Sequence, residues 1–320
     1  MTIQSLMRRG WLAVAFFFTI SLSAQIQFEP DRSIKETRLG IIRNTVLTVD
    51  DDAKAIIQRP LNNPNLTANA VKLFALIATD YQTTKYFQEN IEPLDVYIRP
   101  LVSYPTILNQ NSFLRKSTTG QDGYIYFGFT AMYGVGLLTG NEKLQEASIL
   151  TTKAVIESYV VSHLILKSSI GRHRPARPLG NTLEGDGDSR FPFVHSPLDF
   201  FNWHLNGLGS SAYGTGFPSY HATMYFAVAS VTSQVFENRW IPYSAMVFGL
   251  LYDIRGHNHW VSELVAGAVI GEFIGRVVYE NYHEQRSKSK TTHKKKPLFK
   301  KNLSVGQTFG IVGPSLVLSW

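Results

Sequence analysis

Apolar residues return every three or four positions through most of this chain, and no stretch before Leu303 alternates for long enough to make a strand. That period covers one side of a helix and gives a strand no buried face, so the chain is read as all-α. The helical spacing runs from Leu66 to Tyr81, again from Tyr86 to Leu101, and then through Glu142–Ser169, Ser219–Phe236, Trp240–Tyr252 and Val261–Tyr282. In Glu142–Ser169 the pair Lys153 and Glu157 marks one side, while Ala154, Val155, Tyr159, Val160, Leu164 and Ile165 supply apolar surface elsewhere. Asp50-Asp51-Asp52 opens a further helix through Ile57. Two regions break the pattern. Arg172–Gly216 is rich in Pro, Gly, Asn and Ser and reads as a long functional loop. Leu303–Val312 and Ser315–Trp320, split by Gly313-Pro314, read as a short C-terminal β-hairpin.

With 320 residues the chain has enough length for a substantial core, and with no cysteine it has neither disulfides nor thiolate metal sites. Arg8 and Arg9, the apolar run Leu12–Ile20 and the small-residue stretch before Gln25 predict an export signal over 1–24. A periplasmic or envelope location follows from that reading. The N-terminal extension is then 25–64, the helical domain 65–283, a basic linker 284–302 and a tail or hairpin 303–320. A spanning helix needs roughly twenty predominantly apolar residues. Gly123–Asn141 is uncharged for nineteen residues but holds five glycines, so the body is read as water-soluble.

The net charge of +7 is local. Eight of the 31 basic residues lie between Arg286 and Lys301; without them and the two signal arginines, 21 basic residues face 24 acidic ones. Such a run is a solvated linker or, second, a peripheral membrane contact through Arg286–Lys301 with anionic headgroups. No aromatic residue interleaves Arg286–Lys296, so nucleic acid is not expected as a partner.

Three segments carry chemistry: Lys167–Pro175 (KSSIGRHRP), Phe217–Thr223 (FPSYHAT) and Arg255–Glu263 (RGHNHWVSE). Lys167 ends a helix and Arg174 precedes Pro175, which forces extended backbone, so ammonium and guanidinium converge on one anion or merely neutralise a helix end. Ser219 is an N-cap whose hydroxyl and neighbouring amides, with His221 on the same first turn, make either an oxyanion cradle or a plain helix start. Glu263 follows His259 by four, a spacing that lets a carboxylate fix an imidazole tautomer and that also occurs on ordinary surfaces. His257 and His259 lie close together, but no HExxH pattern or third ligand accompanies them, so no metal is expected.

Lys167-x6-Arg174-Pro175, Pro218-Ser219-Tyr220-His221 and His259-Trp260-Val261-Ser262-Glu263, in that order, resemble the three-part signature of the type-2 phosphatidic acid phosphatase superfamily. That group includes soluble bacterial acid phosphatases and vanadium haloperoxidases, and the similarity covers roughly Gln82 to Tyr282. The resemblance implies an all-helical bundle of that kind and a cofactor-free, metal-free phosphohydrolase working through a phosphohistidine. On that pattern His259 is the nucleophile, Glu263 orients it, and His221 is the general acid. Lys167, Arg174, Ser219 and the amide of Tyr220 hold the phosphoryl oxygens.

Three departures stand out. Tyr220 occupies a position where the family has glycine, and Glu263 replaces an aspartate. Asp253 stands where the family's third-motif arginine belongs, so Arg255 takes the phosphate-binding role on a shorter turn. The expected substrate is a phosphate ester, a phosphomonoester or a lipid-linked phosphate or diphosphate. A degenerate, non-catalytic phosphate-binding member is the alternative. Halide oxidation on a bound vanadate shares the same cage and has no specific support here. Phe191, Phe193, Phe200, Phe201 and Trp203 in the long loop are available either to an apolar substrate group or to packing.

Overall fold

The computed structural model describes residues 38–94, 123–179, 193–206, 215–253, 258–295, 303–308 and 311–316. The expected signal segment, Phe191, Arg255, His257 and 296–302 lie outside the described residues.

Two of the helices that carry site residues begin where a side chain accepts from the first free amides. In α6 (Glu142–Ile170) the Asn141 side chain accepts from the Leu144 N–H, and in α7 (Tyr220–Phe236) Ser219 accepts from the Ala222 N–H. Upstream lie α1 (Arg38–Leu47), α2 (Val49–Leu61), α3 (Leu66–Ala78), α4 (Asp80–Asn90) and α5 (Gly123–Thr139). Downstream are α8 (Trp240–Asp253) and α9 (Val261–Lys295). The chain is therefore a helical bundle, with one small appendage. A C-terminal hairpin is present as β1 (Leu303–Thr308) antiparallel to β2 (Ile311–Leu316), but its turn lies between Thr308 and Ile311; Gly313-Pro314, expected as the turn, sits inside β2 opposite Gly306 and Val305.

The core lies between α6, α7 and α9, where Ala147, Leu150, Ala154, Ala227, Val231, Ile274 and Val278 are fully or almost fully buried. Gly267, Gly271 and Gly275, four apart, form a groove down α9 into which α7 settles. A Cβ on them would collide with the carbonyls of Ser219, Thr223 and Ala227 respectively. This close approach fixes the start of α7 against the start of α9, and both ends carry site residues. Among the described residues Glu142–Ile170 is long and apolar enough to cross a membrane by length and composition, and it is this central helix.

Helix α6 does not keep one geometry. Tyr159–Leu166 is π-helical, with the Lys167 N–H reaching back five residues to the Ser162 carbonyl. Gly171, at φ 54°, then ends the helix in a left-handed turn that L side chains avoid. The long loop folds back there: the Phe201 N–H donates to the Ile170 carbonyl and the Asn202 N–H to the Gly171 carbonyl.

Two readings of the sequence change. Helix α9 continues past Tyr282 to Lys295, so part of the expected basic linker is helical. Its first turns beyond Tyr282 explain why: Arg286 is buried against Glu146 at 3.2 Å beside His283, and Lys288 pairs with Glu284 four residues back. Arg286 is thus committed to the core and is not free for a membrane contact. The helix expected from Tyr86 instead starts at Asp80 and gives way after Asn90 to a 3-10 turn, Glu92–Leu94, beyond which the chain lies outside the described residues.

Candidate active site

Seven of the residues singled out from the sequence come from three places: Lys167 and Arg174 from the C-terminal end of α6 and the loop after it, Ser219, Tyr220 and His221 from the start of α7, and His259 and Glu263 from the start of α9. His259 is buried, one residue before the N-cap of α9. Its Nε2 lies 3.3 Å from Ser219 Oγ and 3.5 Å from Arg174 Nη1, and its Nδ1 lies 2.7 Å from Glu263 Oε2. Glu263 is the third residue of α9, and the same oxygen accepts the Trp260 N–H at 3.3 Å, the reach-back half of a capping box. One carboxylate oxygen thus ties helix start and imidazole together. The extra methylene relative to aspartate does not stop it from reaching Nδ1. With Nδ1–H donated to the carboxylate, Nε2 carries its lone pair toward the hydroxyl and the guanidinium.

Room for this carboxylate depends on Gly216, where any Cβ would collide with Glu263. Glu263 is fully enclosed, and its pKa is raised to about 8, chiefly by desolvation, with Arg172, Arg174 and Lys167 opposing and Asp80 adding to the rise. Lys167 is 3% exposed. Burial first, then Arg174, lowers its pKa to about 7, while Glu263 acts the other way. Arg174 is also lowered by burial, yet a guanidinium remains charged throughout the working range. Crowded cations that lose water without gaining a full set of counter-charges are poised for an incoming anion.

His221 sits in the first turn of α7, half-buried, with its ring 5.5 Å from that of Tyr220. Tyr220 settles the first departure from the signature. It is ordinary right-handed helix, and its side chain turns inward, edge-on to Tyr159 at 5.5 Å and near His163 at 5.9 Å. No glycine-only angle is needed there. The π-helical segment of α6 supplies both of those partners, whose rings stack at 4.8 Å. Arg255 lies outside the described residues, and so does any account of the Asp253 side chain.

Sequence reasoning missed Arg172. It is fully buried between the rings of Phe200 and Trp260, at 4.8 and 5.0 Å, and bonded to Asp80 and Ser262. Its place two residues before Arg174 was visible; its partners, about ninety residues away on either side, were not. His173 is half-buried, with Nδ1 2.8 Å from Asp199, and its carbonyl accepts the Trp260 indole N–H. In the loop Phe200 packs inward, while Phe201 and Trp203 stand 73% and 72% exposed. A hollow of about 1340 Å³ between α2, α3 and α9 holds none of these motif residues. Among the described residues no cluster of three His, Asp or Glu ligands offers a metal site.

The family model for the PAP2 superfamily matches residues 147–287, from the first turns of α6 to the far part of α9. The chain is similar to the lipid A 4'-phosphatase of Porphyromonas gingivalis, 29% identical over 103 residues, which is 31% of this chain. The match spans 43% of that relative's length. No solved structure matches at a significant level. The matched segment carries Lys167, Arg174, Ser219, His221, His259 and Glu263 in the order of the family's signature, which supports the PAP2 superfamily for residues 147–287 of this chain.

Proposed function

We propose that this protein is an exported phosphohydrolase that cleaves a phosphate ester through a phosphohistidine on His259, without a metal ion. The observation that supports it most is the position of His259: Nδ1 held by Glu263 at 2.7 Å, Nε2 directed at Ser219 Oγ and Arg174 Nη1. In this reading the ester phosphate lies among Lys167, Arg174 and the Ser219 hydroxyl, with Arg255 as a further cation. The Nε2 lone pair forms an N–P bond as the P–O bond to the alcohol breaks, and His221 protonates the departing oxygen. Water, deprotonated by His221, then attacks phosphorus, breaks the N–P bond and releases inorganic phosphate. Fixed cations around the equatorial oxygens supply the charge stabilisation.

A lipid-linked phosphomonoester is the substrate class we favour. Two things support it: the relative named as a lipid A phosphatase, and the exposed Phe201 and Trp203 on the loop fastened over the end of α6. Export rests on the predicted signal over 1–24.

The test is hydrolysis of a chromogenic phosphomonoester in EDTA, beside a phospholipid monoester in mixed micelles, with His259→Ala as control. Turnover that survives EDTA and vanishes in His259→Ala supports the reading. Tight phosphate binding with no turnover of either substrate would make the protein the non-catalytic alternative.

A further inference from the structure

The start of α9, which carries the proposed nucleophile's partner, is capped from another helix. The Val261 N–H donates to Thr84 Oγ1 at 3.0 Å and the Ser262 N–H to Asp80 Oδ1 at 2.9 Å, two side chains one turn apart on α4. Asp80 does more than cap. Its Oδ2 accepts from the Ser262 hydroxyl and, at 2.8 Å, from Arg172 Nη2. Arg172 Nη1 donates to the same hydroxyl at 2.7 Å and stands 3.8 Å from Glu263 Oε1. That oxygen has no hydrogen-bond partner among the described residues, while its twin holds His259. Asp80, Arg172, Ser262 and Glu263 are all fully enclosed. Asp80 also lies outside the segment 147–287 that the family model matches.

We propose that Asp80 is a positioning residue of the site: through Arg172 and Ser262 it fixes the Glu263 carboxylate, and through that the tautomer of His259. This rests on the phosphohydrolase reading for its kinetic consequence only. The physical case is that an enclosed guanidinium beside a carboxylate drifts onto it unless a second carboxylate holds it back. Asp80 provides that second anion, keeping Arg172 at 3.8 Å from Glu263 rather than in a direct fork that would pull the carboxylate off Nδ1. The other charged or titratable groups facing Glu263 are Arg174, Lys167 and His259. Loss of Asp80 removes an anion that opposes ionisation of Glu263, so the acid limb of the rate profile moves to lower pH while the rate above it falls.

The full chain is assayed as Asp80→Asn, Thr84→Ala and Ser262→Ala. Two readouts are taken: the pH profile of kcat/KM, and the downfield proton resonance of His259 Nδ1–H, identified by its loss in His259→Ala. Asp80→Asn is expected to lower kcat/KM about tenfold, to move the acid limb to lower pH and to shift the resonance, while inhibition by tungstate changes less than about twofold. Thr84→Ala, which removes only the Val261 cap, lowers Tm and leaves limb and resonance in place. Should Asp80→Asn not fold, Ser262→Ala, lacking the bridging hydroxyl, is expected to shift both readouts in the same direction. Wild-type limb and resonance in the folded variant would overturn the proposal. If the wild-type chain binds tungstate but hydrolyses nothing, the phosphohydrolase reading falls, and the resonance alone decides the role of Asp80.

Discussion

Residue by residue, the site is a negotiation between burial and charge. Glu263 must be ionised to accept Nδ1–H, yet burial lifts its pKa to about 8. Protonation gives the carboxyl its own O–H, so Nδ1 becomes an acceptor and Nε2 loses its lone pair. The expected kcat/KM therefore falls as pH drops through about 8, and Glu263→Gln, which cannot titrate, flattens that limb while lowering the rate about a thousandfold. Rate profiles of the two proteins check it. Lys167 runs the other way: burial brings it to about 7, so its ammonium is lost as pH rises through neutrality in the empty site. Affinity for tungstate, whose own charge is constant there, should decline above about pH 7 in the wild type and lose that slope in Lys167→Gln, as titration calorimetry would read.

At the scale of elements, the meeting of α7 and α9 decides whether Ser219 and His259 face each other at all. The Gly267, Gly271 and Gly275 groove brings backbone to backbone, and Gly271→Ala inserts a methyl against the Thr223 carbonyl. We expect a loss of about 2 kcal/mol or more of stability in urea unfolding, with activity falling as the two helix starts separate. Much of this level was legible. Ser219 as an N-cap and the helical period of α6, α7 and α9 rest on local signals that each segment carries itself. The π-helical stretch of α6 was not legible: the rings it presents, Tyr159 and His163, pack on Tyr220, a residue some sixty positions on. Asp80 was equally silent: nothing around Thr79-Asp80 announces a partner 92 residues away in Arg172 or 182 away in Ser262. Short-range patterns predict elements; clamps between distant elements leave no local trace.

Across the whole molecule, the N-terminal helices are joined to the bundle by buried charge rather than by apolar surface alone. Asp52 of α2 pairs with Lys153 of α6 and accepts from Asn281 of α9, while Arg59 donates to Glu280 and Asn281. Glu157 lies beside this cluster, 4.0 Å from Lys153, and desolvation, then Asp52, raises its pKa to about 9. Its unfolded form ionises near 4.5, so the unfolded chain holds fewer protons than the folded one from there up to about 9. Stability is thus expected to fall across that window by up to roughly 1.4 kcal/mol per pH unit from this group. Glu157→Gln should remove that share of the slope and raise Tm at pH 8, which thermal unfolding at pH 5 and pH 8 would reveal. The net charge of +7 suggested none of this, since it counts charges without showing that Arg286 and Lys153 are spent inside.

The most direct measurement is to quench a single turnover with denaturant at alkaline pH, where phosphohistidine survives, and map the modified peptide by mass spectrometry. The account predicts one phosphoryl group on the peptide bearing His259, formed and lost at rates that match turnover and absent from His259→Ala. A phosphoryl group on Ser219 instead, or undiminished hydrolysis by His259→Ala, would contradict it.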